Sequence, residues 1–414
     1  MKLISFLVLA ALIAGLAAGA GVRAADNPTL TAIAGYIEPF GGLWLNALRM
    51  TVVPLVVALL ITGIGSVGDA AKTGGLVLRA ILLFTVLIFF AALYVVGASS
   101  AFLSAWPVDR AQAEAFLGGI GANAVTISEP PTFASWIQSL APANPVRAAA
   151  EDAILALVVF ALFFGFATTR LAAPMRDQIV GFFRAVSEAM IIIVQWILVA
   201  GPVGVFALAL GVGLHAGFAA AGTLAQYVVI VTTILAGGTL LAWLIGVAFS
   251  GQPIGRFTSA LAPVWAVAAS TQSSLASLPV MLNSALRGLD VPPHIADVVL
   301  PLAVATFRFT SPIGNLAVVF FVAHLYGIEP SALQIIGAVV VAYAVSIAAV
   351  GLPGQISFIA SIAPISIAMG VPVEPLGVLI AVEVIPDIFR TLGNTTADVS
   401  ATAMLSRGQA KRES

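Results

Sequence analysis

The sequence predicts an all-α membrane protein with eight transmembrane helices and two re-entrant helical hairpins that form an inverted repeat. Three observations predict it. Of 414 residues, 61% are hydrophobic and only 8% charged, against about 25% charged in an ordinary soluble domain. Apolar runs recur along the chain at the length of a membrane span, which needs roughly 20 residues. Two late stretches, 255–290 and 332–372, are apolar but interrupted by polar, Gly- and Pro-containing patches.

The first run, Leu3 to Ala20, follows Lys2 and ends in the Ala-rich Val22-Arg23-Ala24-Ala25. That pattern shares features with a cleaved signal peptide. The run is nevertheless long enough to span, and Gly15, Gly19 and Gly21 suit close helix packing in lipid. It reads as a retained first helix. Further apolar segments lie at 42–67, 77–105, 152–169, 178–214 and 220–250. Residues 106–146, with Pro107, Pro130, Pro131, Pro142 and Pro145, read as a long extracellular loop.

After Gly251 the character changes. The first interruption is Ser270-Thr271-Gln272-Ser273-Ser274, and the second is Val350-Gly351-Leu352-Pro353-Gly354-Gln355. Between them a helix over 295–325 is broken at Arg308 to Asn315. Irregular backbone at membrane depth is tolerated only where it is buried in protein or lines a cavity. Paired broken segments in two halves of a chain are a recurring transporter design. Helix starts at a hairpin tip expose N–H groups to anions, which makes Ser273 and Ser274 candidates for a bound carboxylate. Pro353 and Gly354 lack a donor and a Cβ respectively, which suits a gate.

Lys and Arg placement sets the orientation. With the N-terminus inside, inner loops hold Lys2, Lys72, Arg79, Arg170, Arg176, Arg184, Arg256, Arg287, Arg407, Lys411 and Arg412, and outer loops only Arg23, Arg110 and Arg147. Both termini are therefore expected in the cytoplasm of a cell with the protein in its inner membrane. This distribution requires the two interrupted stretches to enter and leave on the same side.

Composition excludes several function classes. The net charge of -1 leaves no broad basic face for nucleic acid. The chain has no cysteine, and His215, His294 and His324 match no metal-ligand spacing. No Ser-His-acid grouping or phosphate-binding loop is visible. The expectation is a non-enzyme without an organic cofactor, surrounded by membrane lipid.

The sharpest signal is the last helix, about 375–405. Asp387, Arg390, Asn394 and Asp398 follow spacings of three, four and four, with Glu383 one turn earlier, which places them on one helical face. A charge at membrane depth costs from about 2.5 to over about 10 kcal/mol and is functional by default. Arg390 offers a fork that grips a carboxylate in two-point geometry. Asp387 could receive an ammonium group, Asn394 a second carboxylate, and Asp398 a hard cation. A structural pairing of Arg390 with Asp387 or Asn394 is the competing reading. A small anionic solute is the expected cargo, and Asp387 favours an acidic amino acid over a dicarboxylate.

Four stretches resemble the dicarboxylate/amino acid:cation symporter family, which includes the glutamate transporters. Leu48-Arg49-Met50-Thr51-Val52-Val53-Pro54-Leu55 running to Ile61-Thr62-Gly63-Ile64 resembles its second-helix signature. Ser273-Ser274-Leu275-Ala276-Ser277-Leu278-Pro279-Val280 resembles its serine-rich first hairpin, and Gly351-Leu352-Pro353-Gly354 its second-hairpin tip. Asp387-Ile388-Phe389-Arg390-Thr391 with Asn394 and Asp398 resembles its substrate-binding last helix. The resemblance implies a homotrimeric, elevator-type secondary transporter of aspartate, glutamate or a C4-dicarboxylate. It implies scaffold helices within 1–76 and 147–214, and a moving transport domain of 77–105 and 215–405, with 406–414 as a cytoplasmic tail. In such relatives Arg390 would grip the side-chain carboxylate, Asp387 the amino group, Asn394 the main-chain part, and Asp398 a sodium ion. Thr391, Ser273, Ser274 and Gly354 complete the implied substrate site.

The departures are as informative. Where the family usually has Asn-Met-Asp-Gly-Thr, this chain has Phe307-Arg308-Phe309-Thr310-Ser311. Near Phe89-Phe90 an expected polar patch is apolar, and Gln272 stands where many prokaryotic relatives have arginine. Two readings follow. Arg308 replaces a sodium ion electrostatically, paired with Asp398 or Glu383, and coupling uses fewer sodium ions, a proton on Glu383, or no ion. Alternatively, Ser311-Pro312-Ile313-Gly314-Asn315 supplies replacement cation ligands. A sodium-independent carrier of another solute, or a receptor or channel on the same fold, are the competing functions.

Overall fold

The computed structural model describes residues 2–71, 75–120, 132–217, 219–348 and 354–413. Every regular element among them is helical. Six helices are long and apolar enough to cross a membrane, and four shorter apolar helices accompany them. Large apolar side chains also point outward: Trp196 is 70% exposed and Phe163 74%. A water-soluble protein of this size rarely shows so continuous an apolar exterior, whereas lipid is the solvent that accepts it.

The chain opens with α1 (Lys2–Ala25), α2 (Pro28–Arg49), α3 (Val52–Ala71) and α4 (Gly75–Ala105). The 42–67 expectation missed most of α2. Asn27 caps that helix by accepting from the Thr29 and Leu30 amides, and Pro28 fills the first turn, where its missing N–H costs nothing. Small residues zip α1 onto a later helix, Gly201–Ala216. A Cβ on Gly15 would sit 2.6 Å from the Phe206 carbonyl oxygen, and one on Gly19 would strike that of Leu210.

The 106–146 stretch is not a plain loop. It contains α5 (Arg110–Gly119) and α6 (Phe133–Ser139), and α7 (Pro145–Ala150) follows. Asp109, Thr132 and Asn144 cap them in turn. Phe116 of α5 is fully buried. Next come α8 (Ile154–Thr168), α9 (Ala173–Val199), α10 (Gly201–Ala216) and α11 (Ala219–Ser250). The apolar run 178–214 thus divides at Ala200, where Gly201-Pro202 restarts the helix.

Both interrupted stretches double back. Helix α12 (Ile254–Thr271) and α13 (Ser274–Asn283) pack together across a tight turn at Gln272-Ser273, followed by one π-helical turn, Ser284–Gly288. Gln272 takes the left-handed conformation, φ 53°. The two ends meet: Arg256 Nε donates to Gly288 O at 2.8 Å, and Gln252 Nε2 to Leu289 O at 2.7 Å. The stretch therefore starts and finishes at one edge. Then α14 (Pro293–Thr306) and α15 (Thr310–Tyr326) frame a break. The second doubled stretch is α16 (Ala332–Ala348) and α17 (Gly354–Met369), tied at its open end by Gln334 Nε2 donating to Met369 O at 3.2 Å. Its tip, with Pro353, lies outside the described residues, and Gly354 opens α17.

The last helix is two pieces, α18 (Leu376–Leu379) and α19 (Val384–Glu413), rather than one. Pro386 is the cause. It has no N–H for the Val382 carbonyl, so the helix restarts just before it. Glu383 consequently sits on the turn ahead of α19, not on the helical stripe.

Candidate substrate and cation site

The break between α14 and α15 is narrower than 308–315. It covers Phe307 to Phe309, and Ser311 to Asn315 are already helical. Phe307 is extended, with φ -101° and ψ 90°. It stacks on Phe84 at 4.5 Å between ring centroids, and Phe309 is buried beside it. Pro312, with no N–H to return to Arg308, ensures that α15 cannot join α14 without interruption.

This break lies against α19. The Thr310 amide donates to Asn394 Oδ1 at 2.9 Å, and the Thr310 hydroxyl shares its one proton between Arg390 O at 2.6 Å and Asn394 Oδ1 at 2.8 Å. Because an amide N–H needs an acceptor, these bonds fix the orientation of Asn394. Its oxygen is spent on the broken helix. Its NH2 group makes no hydrogen bond among the described residues, which leaves a donor for a carboxylate. Ser311 is buried, and its hydroxyl accepts from Asn315 Nδ2 at 3.3 Å.

Arg390 is held from several directions. Its Nη2 donates to Glu383 Oε1 at 2.7 Å, and Nη1 donates to Asn315 Oδ1 at 2.8 Å. Nε lies 3.7 Å from Asp387 Oδ1. The closest acidic partner is Glu383, not Asp387 as the helical spacing suggested. Gly314 makes room for this guanidinium: a Cβ there would fall 2.7 Å from Nη2. The 311–315 segment, read as a source of replacement cation ligands, is helical, with Asn315 Oδ1 and the Ser311 hydroxyl engaged in these bonds.

Sequence reasoning missed Tyr227 altogether. It lies on α11, fully buried, with its ring edge-on to Phe321 at 5.3 Å. Its hydroxyl donates to Glu383 Oε2 at 2.8 Å. No local pattern marks it, because its partner is far away in sequence.

Asp398 is fully buried, and neither carboxylate oxygen has a hydrogen-bond partner among the described residues. Arg308 is the cation within electrostatic reach of it, and Arg308 also feels Asp387 and Arg390. A bare buried carboxylate is strongly unfavourable unless a cation neutralises it. Two guanidiniums, Arg308 and Arg390, thus face three carboxyl groups, Glu383, Asp387 and Asp398. Fully ionised, the cluster carries one net negative charge.

The remaining described candidates make local bonds. Ser273 caps α13, its hydroxyl accepting from the Ala276 amide at 3.2 Å, and Ser274 follows it as the first residue of that helix. Thr391 returns its hydroxyl to Asp387 O at 2.9 Å within the helix. The first tip does touch the cluster's edge, through Gln272 Nε2 donating to Val384 O at 3.1 Å.

A broken helix, a largely buried arginine bonded to Glu383, and the polar face of α19 thus come together in one place. A profile of the sodium:dicarboxylate symporter family matches residues 4–407. The chain belongs to that family. Relatives span nearly its whole length. The proton/glutamate-aspartate symporter of Escherichia coli K12 is 26% identical over 406 residues, covering 98% of this chain and 92% of the relative. The proton/sodium-glutamate symport protein of Bacillus subtilis is 27% identical over 412 residues, covering 98% and 94%. Human neutral amino acid transporter B(0) is 28% identical over 444 residues, covering 98% and 80%. The family is one of transporters, not enzymes, in keeping with the absence of a catalytic grouping in the sequence. In this family member the last helix carries Asp387, Arg390, Asn394 and Asp398, and the preceding break carries Arg308.

Proposed function

We propose that the protein is a secondary active transporter of acidic amino acids, aspartate or glutamate first and a C4-dicarboxylate second, coupled to a cation and driven through an elevator cycle. The observation that carries this reading is Arg390, a guanidinium only 14% exposed at the meeting of α15, α19 and the Glu383 turn, with an unengaged Asn394 amide one turn away. An acidic amino acid carries one net negative charge, and so does the ionised cluster. Bringing the two together in a low-dielectric site demands compensating positive charge. A coupling cation or proton supplies it.

Arg308 takes part of this role permanently. It stands near Asp398 and Asp387, so it neutralises carboxylates that a sodium ion would otherwise screen. Fewer sodium ions are then needed per cycle, or none. The moving unit in this reading comprises 77–105 and 215–405, and the static one 1–76 and 147–214. The protein works as a homotrimer in the inner membrane with both termini cytoplasmic.

The test is uptake of labelled aspartate and succinate into proteoliposomes, with sodium and proton gradients imposed singly. Aspartate uptake without sodium, abolished by Arg308→Met, is the expected result. Uptake that requires sodium as the sole driving ion would overturn the charge-replacement role. A neutral amino acid is the second reading. It is favoured by the internal neutralisation of Arg390 by Glu383 and by the likeness to a neutral amino acid transporter. Uptake of glutamine or serine in preference to aspartate would establish it.

A further inference from the structure

Two consecutive residues of α15 hold the head of Arg390, each from a different direction. A Cβ on Gly314 would lie 2.7 Å from Nη2, 2.8 Å from Cζ and 2.9 Å from Nη1. Near-equal distances to the central carbon and both nitrogens place that point over the guanidinium plane, not at its edge. The head therefore lies flat on the Gly314 backbone, in the space a side chain would fill. Asn315 grips an edge of the same plane. Its Oδ1 accepts from Nη1 at 2.8 Å, and its Nδ2 donates to the Ser311 hydroxyl at 3.3 Å. A guanidinium only donates, so this bond fixes which end of Asn315 faces it. Glu383 Oε1 takes Nη2 at 2.7 Å. The N–H on Nε and one N–H on each Nη stay unbonded among the described residues, and these are the donors left for a ligand.

The other end of this side chain is fixed too. The Thr310 hydroxyl donates to Arg390 O at 2.6 Å, and a Cβ on Gly393 would collide with the Thr310 methyl. The backbone of α19 is thus pressed against the start of α15 and has no slack there. Anything larger than hydrogen at position 314 must move the guanidinium, not the helices. Ordinary contact begins at 3.4 Å, so even a methyl drives the head off α15. The side chain starts on α19, and the head retreats towards that helix. Asn394 does not follow, because the Thr310 amide holds its Oδ1 at 2.9 Å. The span between the unbonded donors of Arg390 and the Asn394 NH2 then narrows.

We propose that Gly314 and Asn315 set the length of the acidic solute: the glycine lets Arg390 sink onto α15, the asparagine keeps it there, and the span to the Asn394 amide opens for glutamate. The proposal rests on the reading that an acidic amino acid bridges Arg390 and Asn394. Gly314 and Asn315 are positioning residues, and neither needs to touch the solute. Glutamate exceeds aspartate by one methylene, a difference that a fitted site discriminates by about tenfold or more.

The experiment measures the Kd of L-aspartate and of L-glutamate for the purified protein, in the wild type, Gly314→Ala and Asn315→Ala. In Gly314→Ala the affinity for aspartate relative to glutamate should rise about tenfold over the wild-type ratio. This variant is expected to fold, because the atoms it displaces are the far end of a long side chain and not backbone. Asn315→Ala releases the head instead of pushing it, and should move the ratio in the same direction. A purely structural role would weaken both solutes alike. A ratio that stays at the wild-type value in Gly314→Ala, or moves towards glutamate, overturns the proposal. Should Gly314→Ala not fold, the ratio in Asn315→Ala decides in the same terms. Wild-type protein that binds neither solute overturns the reading on which the proposal rests, whereas binding with an unmoved ratio overturns the proposal alone.

Discussion

Helix α1 lies against α10 largely through glycines, with backbone facing backbone, and the one charged contact between them among the described residues is at their end, where Arg23 donates to His215 O. Helix α15 meets α19 through a mesh of polar bonds, Thr310 to Asn394 and Asn315 to Arg390. In the first pair the approach is set by van der Waals packing of small residues, which has one good arrangement and tolerates little intrusion. In the second, each polar group has a partner that a ligand could replace. In the proposed function a solute carboxylate stands in for Glu383, and a solute amine takes up Asp387. The contrast separates a contact built to stay from one built to be exchanged.

Four substitutions break or sharpen this contrast. The largest effect is expected from Arg390→Ala. It removes the carboxylate grip and leaves Glu383 buried without its cation, which costs about 3–5 kcal/mol. Aspartate binding measured by calorimetry should fall by at least about a hundredfold. Next is Gly19→Leu, in which a side chain is forced against the Leu210 backbone. Overpacking of this kind costs about 1–3 kcal/mol, read as a lower thermal unfolding midpoint in detergent. Aspartate affinity of the folded fraction should stay the same, because the site is elsewhere. An affinity loss there would show that the two helix pairs are not independent.

Thr310→Val comes third. It deletes the hydroxyl that bridges Arg390 O and Asn394 Oδ1 while the amide bond remains, a loss of about 1 kcal/mol that should weaken aspartate binding about fivefold. The smallest effect is expected from Arg49→Ala. The Arg49–Glu374 pair, 3.0 Å apart, has side chains 40% and 28% exposed, and such pairs contribute less than about 1 kcal/mol. A fall in unfolding midpoint larger than that of Gly19→Leu would contradict this ranking.

The doubling of 255–290 and 332–372 was legible in the sequence, because polar and Gly-Pro patches inside apolar runs are costly in lipid unless the chain turns back or lines a cavity there. So was the stripe of Asp387, Arg390, Asn394 and Asp398, since helical spacing is a local property. The partners were not legible. Tyr227 and Asn315 reach the last helix across more than a hundred residues and about seventy residues of chain respectively, and nothing in an apolar helix distinguishes one tyrosine from another. The turn at 380–383 was hidden among apolar residues, although Pro386 was its available signal. Helices α2 and α5 were also signalled, by Asn27-Pro28 and Asp109. Those caps were outweighed by the polar and Pro-rich character of the surrounding segments. Arg308 was visible as an anomaly. Its neighbourhood, with Asp398 and Asp387 around it, needed three dimensions.

Gln272 gives the first hairpin tip a mechanical property. Its backbone makes the turn, and its side chain is fastened to Val384 O at 3.1 Å. Val384 is the residue next to Glu383 in the chain. A lever is thereby formed with the tip at one end and the Glu383 carboxyl at the other. Any swing of the tip pulls on the turn that holds this carboxyl against Arg390, and any loosening of that turn slackens the tip.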